Sequence, residues 1–405
     1  MQFITNTLPN FGKHLSGTER TTVGKEAPAK VRPFLALWGD MRETPLVSLP
    51  EIATEAGVGE VFLKNEGLRL GRGSFKSLGG AYAVMVLFKR QLEQHLGQPV
   101  AVAQLVSPTA HAFAERVTVC CATDGNHGKS VAAGARLLGC RSVIFIHAGV
   151  SQSRAEAIGA DEIVRIDGSY DDSVEEAKRV AEERGWLLVA DTSWQGYEDV
   201  PELVAQGYTI LAEEATRQIE LLGRGTPTHV FLQAGVGGFA ASIAGYLTDA
   251  AGDDAPRIAI VEPERAACLF ESAKSGKLTS VEPTEPTIMA MLECFTPSLT
   301  AWRMLEKVAD VFITIGEEDA MDAMRRLADR AAEPVVAGES GAAGLAGLLA
   351  AAGDEALRAA LKLDADSRVL LINTETATDP GSFERIVGRS PEEVLAGQRR
   401  TVASA

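Results

Sequence analysis

Gly73-Ser74-Phe75-Lys76-Ser77 is the stretch on which the reading of this chain turns. It sets one lysine, Lys76, in a Gly-rich turn, soon after the strand-like run Val61, Phe62, Leu63 and just before the helix-like run Ala81 to Lys89. A lysine pinned at such a junction has little freedom. A partly desolvated amine there is suited to form a Schiff base with a carbonyl cofactor. Taken alone, the segment is better read as a lysine capping a surface turn. The rest of the chain reverses that preference.

On either side of this turn, short β-rich runs alternate with helical patterns. The strand candidates include Val117–Cys121, Ser142–Ile146, Glu162–Ile166, Leu187–Ala190, His229–Gln233, Arg257–Val261, Val311–Ile315 and Arg368–Ile372. Helix-like stretches lie between them at 126–138, 171–184, 201–222, 237–249, 317–331 and 341–352. Repeated strand–helix units predict an α/β fold whose parallel sheets are covered by helices. Sites in such sheets lie where Gly-rich loops leave the C-terminal ends of strands. No Pro/Gly/Ser-rich linker divides the chain, so two interwoven lobes are expected. The division is 1–89 and 191–405 for a large domain and 90–190 for a small one. Residues 1–32 lack periodicity and read as an extended N-terminal arm.

Two further loops carry chemistry. Ala122-Thr123-Asp124-Gly125-Asn126-His127-Gly128 follows a strand and opens a helix. Its glycines permit close backbone approach, and Asn126 offers a donor and an acceptor suited to a ring hydroxyl or phenolate. Asp124 is a carboxylate at the loop mouth; by itself it reads as a turn or N-cap residue. Gly235-Val236-Gly237-Gly238, after Val230–Gln233, is a strand–turn–helix cradle for phosphate. A dinucleotide turn would have a similar start. However, position 240 is Ala where a full Gly-x-Gly-x-x-Gly needs Gly, and an oxidoreductase leaves Lys76 unexplained.

The composition of the 405 residues is that of a soluble globular protein, 46% hydrophobic and 23% charged. A net charge of −16 argues against a nucleic-acid surface. No apolar run approaches the length of a membrane span. The five cysteines, Cys120, Cys121, Cys140, Cys268 and Cys294, have no zinc spacing, and no metal is expected. Their odd number fits a reducing cytoplasm.

In this order, the Ser-Phe-Lys segment, the Gly-Asn-His-Gly loop and the Gly-x-Gly-Gly loop resemble the pyridoxal-phosphate enzymes of the tryptophan synthase β-subunit and threonine dehydratase fold, known as fold type II. The likeness spans roughly residues 42 to 385. It implies pyridoxal 5'-phosphate as cofactor, Lys76 as its Schiff-base lysine and Phe75 beside it. It further implies Asn126 at the ring oxygen and Gly235, Val236, Gly237 and Gly238 around the phosphate. Within that fold the chain is most similar to the diaminopropionate ammonia-lyases. Asp124 precedes Gly-Asn-His, where threonine dehydratases typically have Ser. Asp191-Thr192-Ser193-Trp194-Gln195-Gly196-Tyr197, with Pro201 and Gln206-Gly207-Tyr208, resembles a lyase segment. So do Gly338-Glu339-Ser340-Gly341-Ala342 and the run Asn373-Thr374-Glu375 with Thr378-Asp379-Pro380.

The resemblance implies β-elimination of the 3-amino group from 2,3-diaminopropionate, as the D or L isomer, giving pyruvate and ammonia. Lys76, Asp124 and Asp191 would carry it. The two aspartates would serve opposite faces of the substrate, provided burial raises their pKa toward neutrality. Thr374 would sit near the ring nitrogen, where a neutral hydroxyl leaves the pyridine unprotonated. A homodimer and a small amino-acid substrate are expected, with no nucleic-acid or membrane partner. A dehydratase or racemase of serine, threonine or another 3-hydroxy amino acid is the nearest rival, and Asp124 in place of Ser speaks against it. A catalytically silent cofactor-binding protein is a further rival, opposed by the joint presence of Lys76, Asp124 and Asp191. The chain leaves the lyase pattern at Met291, Glu293 and Phe295, and at Thr376-Ala377 after Glu375. If Met289–Trp302 lines the substrate pocket, the added bulk and carboxylate would change which side chain fits.

Overall fold

The computed structural model describes residues 1–39, 41–123, 125–330 and 333–402. The described strands are β1 (Gln2–Thr5), β2 (Leu46–Ser48), β3 (Glu60–Asn65), β4 (Thr118–Ala122), β5 (Arg141–His147), β6 (Glu162–Ile166), β7 (Leu187–Leu188), β8 (His229–Gln233), β9 (Arg257–Pro263), β10 (Val311–Ile315) and β11 (Arg368–Asn373). Every strand named from the sequence is present, within two residues at either end. The chain forms two compact units. The first is Met1–Lys25, Glu43–Ser74 and Leu211–Ala405; the second is Glu26–Arg42 and Phe75–Ile210.

The first unit holds a seven-stranded sheet in the order β1-β10-β9-β8-β11-β3-β2. Its five inner strands are parallel, and β11 lies between β8 and β3. The residues of β8 and β10 are buried along their whole length. That follows from their near-continuous apolar runs, since a parallel sheet is covered on both faces. The edges depart from the parallel sheet expected. β1 pairs antiparallel with β10 and β2 antiparallel with β3. Strands of four and three residues carry too little alternation to be read from sequence. The N-terminal arm is likewise more ordered than expected. It contains the helix Gly17–Val23, closed by a capping box in which Ser16 accepts from the Glu19 N–H and Glu19 accepts from the Ser16 N–H. A second helix, Ala27–Leu35, follows.

The second unit holds the sheet β6-β5-β4-β7, all parallel. The helix Lys76–Leu96 belongs to this unit rather than to the lobe 1–89, and so does the stretch up to Ile210. Small residues explain its attachment. A Cβ on Gly134 would lie 2.9 Å from the Ala81 backbone, so the helices Lys76–Leu96 and Asn126–Leu138 meet backbone to backbone. Phe34, from the segment 26–42, packs edge-on against Tyr82 with ring centroids 5.3 Å apart.

Buried in the first unit are two cations and two carboxylates. Lys64 donates to Glu214 at 2.8 Å and to the Thr44 carbonyl at 2.8 Å. Arg69 donates to Glu66 at 2.7 and 2.8 Å and to Glu214 at 2.6 and 3.0 Å. Lys64, Glu66 and Arg69 are 0% exposed and Glu214 is 4% exposed. Burial alone would neutralise Glu66, but Arg69 and Lys64 outweigh it and hold the carboxyl below its ordinary range. Immediately after Arg69, Leu70 is forced to a φ of 51°, a left-handed conformation that costs about 1–3 kcal/mol in a non-glycine residue. The network therefore clamps a strained kink that leads into Gly73 and Ser74. Glu66→Ala would strand Arg69 and Lys64 against a single carboxylate. We expect a loss of about 3–5 kcal/mol in denaturant unfolding, little changed by added salt because the charges are buried.

Candidate active site

In the second unit, Lys76 is the first residue of the helix Lys76–Leu96, with Phe75 as its N-cap. Its ammonium forms an ion pair with Asp191 Oδ2. The side chains are 22% and 14% exposed, so the pair is largely withdrawn from water. The Lys76 nitrogen also lies 5.5 Å from the centroid of the Phe75 ring, which packs 4.7 Å from the ring of Tyr208. Desolvation acts to raise the Asp191 pKa. Attraction to Lys76, with the hydrogen bond from its ammonium, outweighs it and holds the carboxyl well below the ordinary aspartate range. The expectation that burial would raise Asp191 toward neutrality is thus corrected: beside a cationic lysine it is a carboxylate.

Asp191 is held by its own motif. Trp194 and Tyr197 exchange backbone hydrogen bonds of 3.4 and 2.9 Å, and their rings stack with centroids 4.3 Å apart. The Tyr197 hydroxyl donates to the Leu188 carbonyl at 2.8 Å and accepts from the Ala190 N–H at 3.2 Å. The Asp-Thr-Ser-Trp-Gln-Gly-Tyr segment is a closed turn tied back to the end of β7, with Asp191 at its start. His127 lies next to it. Its Nε2 is 2.7 Å from the Val189 carbonyl, which can only accept, so the ring proton sits on Nε2. Nδ1 is then a lone pair, 3.8 Å from Asp191 Oδ2. Burial pushes the His127 pKa down and keeps the ring neutral despite the nearby carboxylate. His127, in the first turn of the helix Asn126–Leu138, is a hydrogen-bond donor to the Val189 carbonyl.

The helix Asn126–Leu138 begins with buried Asn126. The Thr123 hydroxyl accepts from the Gly125 and Gly128 N–H groups at 3.1 and 3.2 Å, so threonine does the capping here. Asp124 lies outside the described residues.

The first unit carries the other expected residues. The loop Gly235-Val236-Gly237 joins β8 to the helix Gly238–Ala251, whose N-cap Gly237 has a φ of 97° and makes no side-chain cap. Only glycine accepts that backbone readily, and the first-turn amides of a helix without a side-chain cap suit a phosphate. Thr374 follows β11 and is 4% exposed. Its Oγ1 lies 3.1 Å from Nε2 of Gln233, the last residue of β8. The turn Gly338–Gly341 packs against this exit: a Cβ on Gly341 would lie 2.3 Å from Asn373 Oδ1. The Gly338 N–H donates to the Glu375 carbonyl at 3.0 Å. Ser74 forms an isolated antiparallel bridge with Glu375, and the Thr376 N–H donates to the Gly73 carbonyl at 2.9 Å. The chain leading to Lys76 is therefore docked beside the residues that follow Thr374.

Gln233 was not legible as a site residue, although a polar residue ending an apolar strand just before a glycine loop is a usable signal. Of the residues that leave the lyase pattern, Glu293 accepts the Thr287 N–H at 3.0 Å and so closes its own loop, and Phe295 accepts from Val281 at 2.9 Å through its carbonyl. Asp379 caps the helix Pro380–Val387 through the Ser382 N–H at 3.0 Å. None of the five cysteines is in a disulfide, and Cys268 donates to the Gly235 carbonyl at 3.7 Å.

Comparison with known proteins gives these features a common cause. A match to the pyridoxal-phosphate dependent enzymes spans residues 37–375, and the chain belongs to that family. Within it the chain sits with the diaminopropionate ammonia-lyases. It is 37% identical to that enzyme of Escherichia coli over 379 residues, 91% of this chain and 93% of the relative. To the diaminopropionate ammonia-lyase of Salmonella typhimurium it is 38% identical over 360 residues, covering 86% and 89%. The crystal structure of the E. coli lyase with an aminoacrylate-PLP azomethine reaction intermediate superposes with a TM-score of 0.84 at 35% identity, over 95% of this chain and 96% of that one. The fold is that of the type II enzymes and the cofactor is pyridoxal phosphate. The residues present fit it: a half-buried lysine amine, a glycine loop heading an uncapped helix and a buried neutral hydroxyl at Thr374.

The pair Lys76–Asp191 has a pH signature in the cofactor-free protein. The folded pKa of Asp191 is lower than its ordinary 3.8. Its contribution to stability is therefore complete above that value and is lost as the pH falls from there toward the folded pKa. Asp191→Asn should lower unfolding free energy by about 1–3 kcal/mol near neutrality. The gap from the parent should shrink in urea titrations below about pH 4. A gap that stays constant with pH would contradict the ionised pair.

Proposed function

We propose that the chain is a pyridoxal-phosphate-dependent ammonia-lyase that eliminates the 3-amino group of 2,3-diaminopropionate, giving pyruvate and ammonia. The observation that carries the catalytic assignment is the ion pair of Lys76 with an ionised Asp191 at the head of a helix. Kinship with the lyases supports the substrate. Bound pyridoxal phosphate supplies the electron sink that makes the Cα proton acidic.

The chain's residues divide the remaining work. Lys76 is the amine that holds the cofactor and, once released, takes a proton from Cα. Asp191, being a carboxylate, can accept a proton at Oδ2 or hold the departing amine as ammonium; it cannot begin as an acid. Asp124 is the second carboxylate, assigned from its Asp-Gly-Asn-His setting. Loss of ammonia from a held ammonium is easier than loss of an amide anion, which is the use of an aspartate where a hydroxyl substrate needs none. Asn126 and Phe75 would hold the ring, Gly235 to Gly238 would hold the phosphate, and Thr374 would attend the ring nitrogen. Free 2-aminoacrylate then takes up water, giving pyruvate and a second ammonia. A homodimer and a cytoplasmic place are part of this reading. The homodimer is supported by the resemblance, and the place by five cysteines without a disulfide.

Purified protein should release pyruvate from D- or L-diaminopropionate with a kcat/KM well above that for serine. Preferred turnover of serine would return the chain to the dehydratases. Lys76→Ala should lose turnover, and borohydride should no longer fix the cofactor to the chain. Trapping on another lysine would show the assignment wrong.

Asp124→Asn and Asp191→Asn should each cost on the order of 10²-fold or more in turnover while retaining cofactor. If the two serve opposite faces, one variant loses mainly D turnover and the other mainly L. Activity within a few-fold of the parent in both removes the proton-transfer role.

A further inference from the structure

Gln233 ends β8 at 1% exposure, and its side-chain amide is surrounded on one side by acceptors. Nε2 lies 2.8 Å from the Ile372 carbonyl, 3.2 Å from that of Ser340 and 3.3 Å from that of Gly341, as well as 3.1 Å from Thr374 Oγ1. The three carbonyls settle which end of the amide is which. Turned over, the amide would set its oxygen against three oxygens that cannot donate. The oxygen Oε1 points the other way, buried without a hydrogen-bond partner, where it faces the backbone of Gly344. A Cβ at position 344 would come within 3.0 Å of it.

This orientation fixes the sense of the contact with Thr374. An amide nitrogen only donates, so Thr374 Oγ1 accepts from Gln233. An N–H of the amide, which sits among the Ile372, Ser340 and Gly341 carbonyls, fills the side of Thr374 Oγ1 turned toward them, so the hydroxyl's own proton points to the other side. We propose that Gln233 is a positioning residue that compels Thr374 to act as a hydrogen-bond donor toward the cofactor's ring nitrogen. This rests on the reading of Thr374 as the partner of that nitrogen. A donor at that place is matched by an unprotonated pyridine nitrogen, which accepts. A threonine that turned its proton inward would present lone pairs instead and would favour the protonated ring. Gln233 thereby sets the protonation state of the ring without touching it.

Removing the amide releases the three carbonyls, and the Thr374 proton turns to them. In Gln233→Met loaded with cofactor labelled at the ring nitrogen, the nitrogen-15 resonance should move toward the protonated position. Equilibrium dialysis of the cofactor-free variant should show about tenfold weaker cofactor binding. Thr374→Val should also disturb both readings. The double variant should be no worse than Thr374→Val alone, because Gln233 acts through that hydroxyl. Should Gln233→Met fail to fold, Gln233→Glu makes the same comparison. A carboxyl facing three carbonyls is protonated, and its single proton goes to the Ile372 oxygen, so Thr374 again loses its donor and the resonance moves the same way. An unchanged resonance and affinity in Thr374→Val would sink the reading of Thr374 itself. A disturbed Thr374→Val with an unchanged Gln233 variant, or effects that simply add in the double variant, would overturn the role of Gln233 alone.

Discussion

The ion pair of Lys76 with Asp191 is the contact around which the helix Lys76–Leu96 and the Trp194–Tyr197 turn are set. Each partner makes the other's charge tolerable in a place where neither would be stable alone. The lysine is kept at the mouth of its helix and the aspartate at the mouth of its turn. Two rigid devices hold them there: the backbone-to-backbone meeting of the helices at Ala81 and Gly134, and the stacked Trp194–Tyr197 turn. His127 stands beside the pair as a neutral ring and adds no charge of its own. Consuming the lysine's charge would withdraw the main attraction that keeps Asp191 acidic. The carboxylate would then become a stronger base.

The first unit uses charge in another way. Its buried Lys64, Glu66, Arg69 and Glu214 balance to neutrality and do no chemistry. They fix the strained step at Leu70, after which the chain docks through Gly73 and Ser74 on Glu375 and Thr376. Directly preceding that docking surface is Thr374, whose hydroxyl is oriented by Gln233. Charge neutrality, backbone strain and hydrogen-bond direction are thus handed along one continuous run of contacts.

The glycine loops and Lys76 were legible because glycine placement is local. The alternation of β-rich and helical runs was legible for the same reason, and it located every strand longer than a few residues apart from the edges. What escaped reading depends on partners far away in sequence. Asp191 is ionised because of a lysine 115 residues earlier, and Lys64 is neutralised by Glu214, 150 residues on. Gln233 looks like any polar residue at the end of a strand until the Ile372, Ser340 and Gly341 carbonyls are placed around its amide. The boundary of the second unit was misplaced at residue 90 because the packing of the helix Lys76–Leu96 against Asn126–Leu138 is a tertiary preference.

The order of the strands has a consequence for how the protein comes into being. β11, at Arg368–Asn373, pairs with β8 on one side and β3 on the other, in the middle of the seven-stranded sheet. On the ribosome it emerges after both of its neighbours, β3 and β8. Until then β3 and β8 have no common neighbour, and the sheet of the first unit is in two pieces. The strands of the second unit, all between Thr118 and Leu188, are by contrast complete before β8 has been made. Because domains fold as units during synthesis, a nascent chain can finish one unit early while the other waits for its central strand. Thr374 arrives directly after that strand, so a product truncated before β11 carries Lys76 without it.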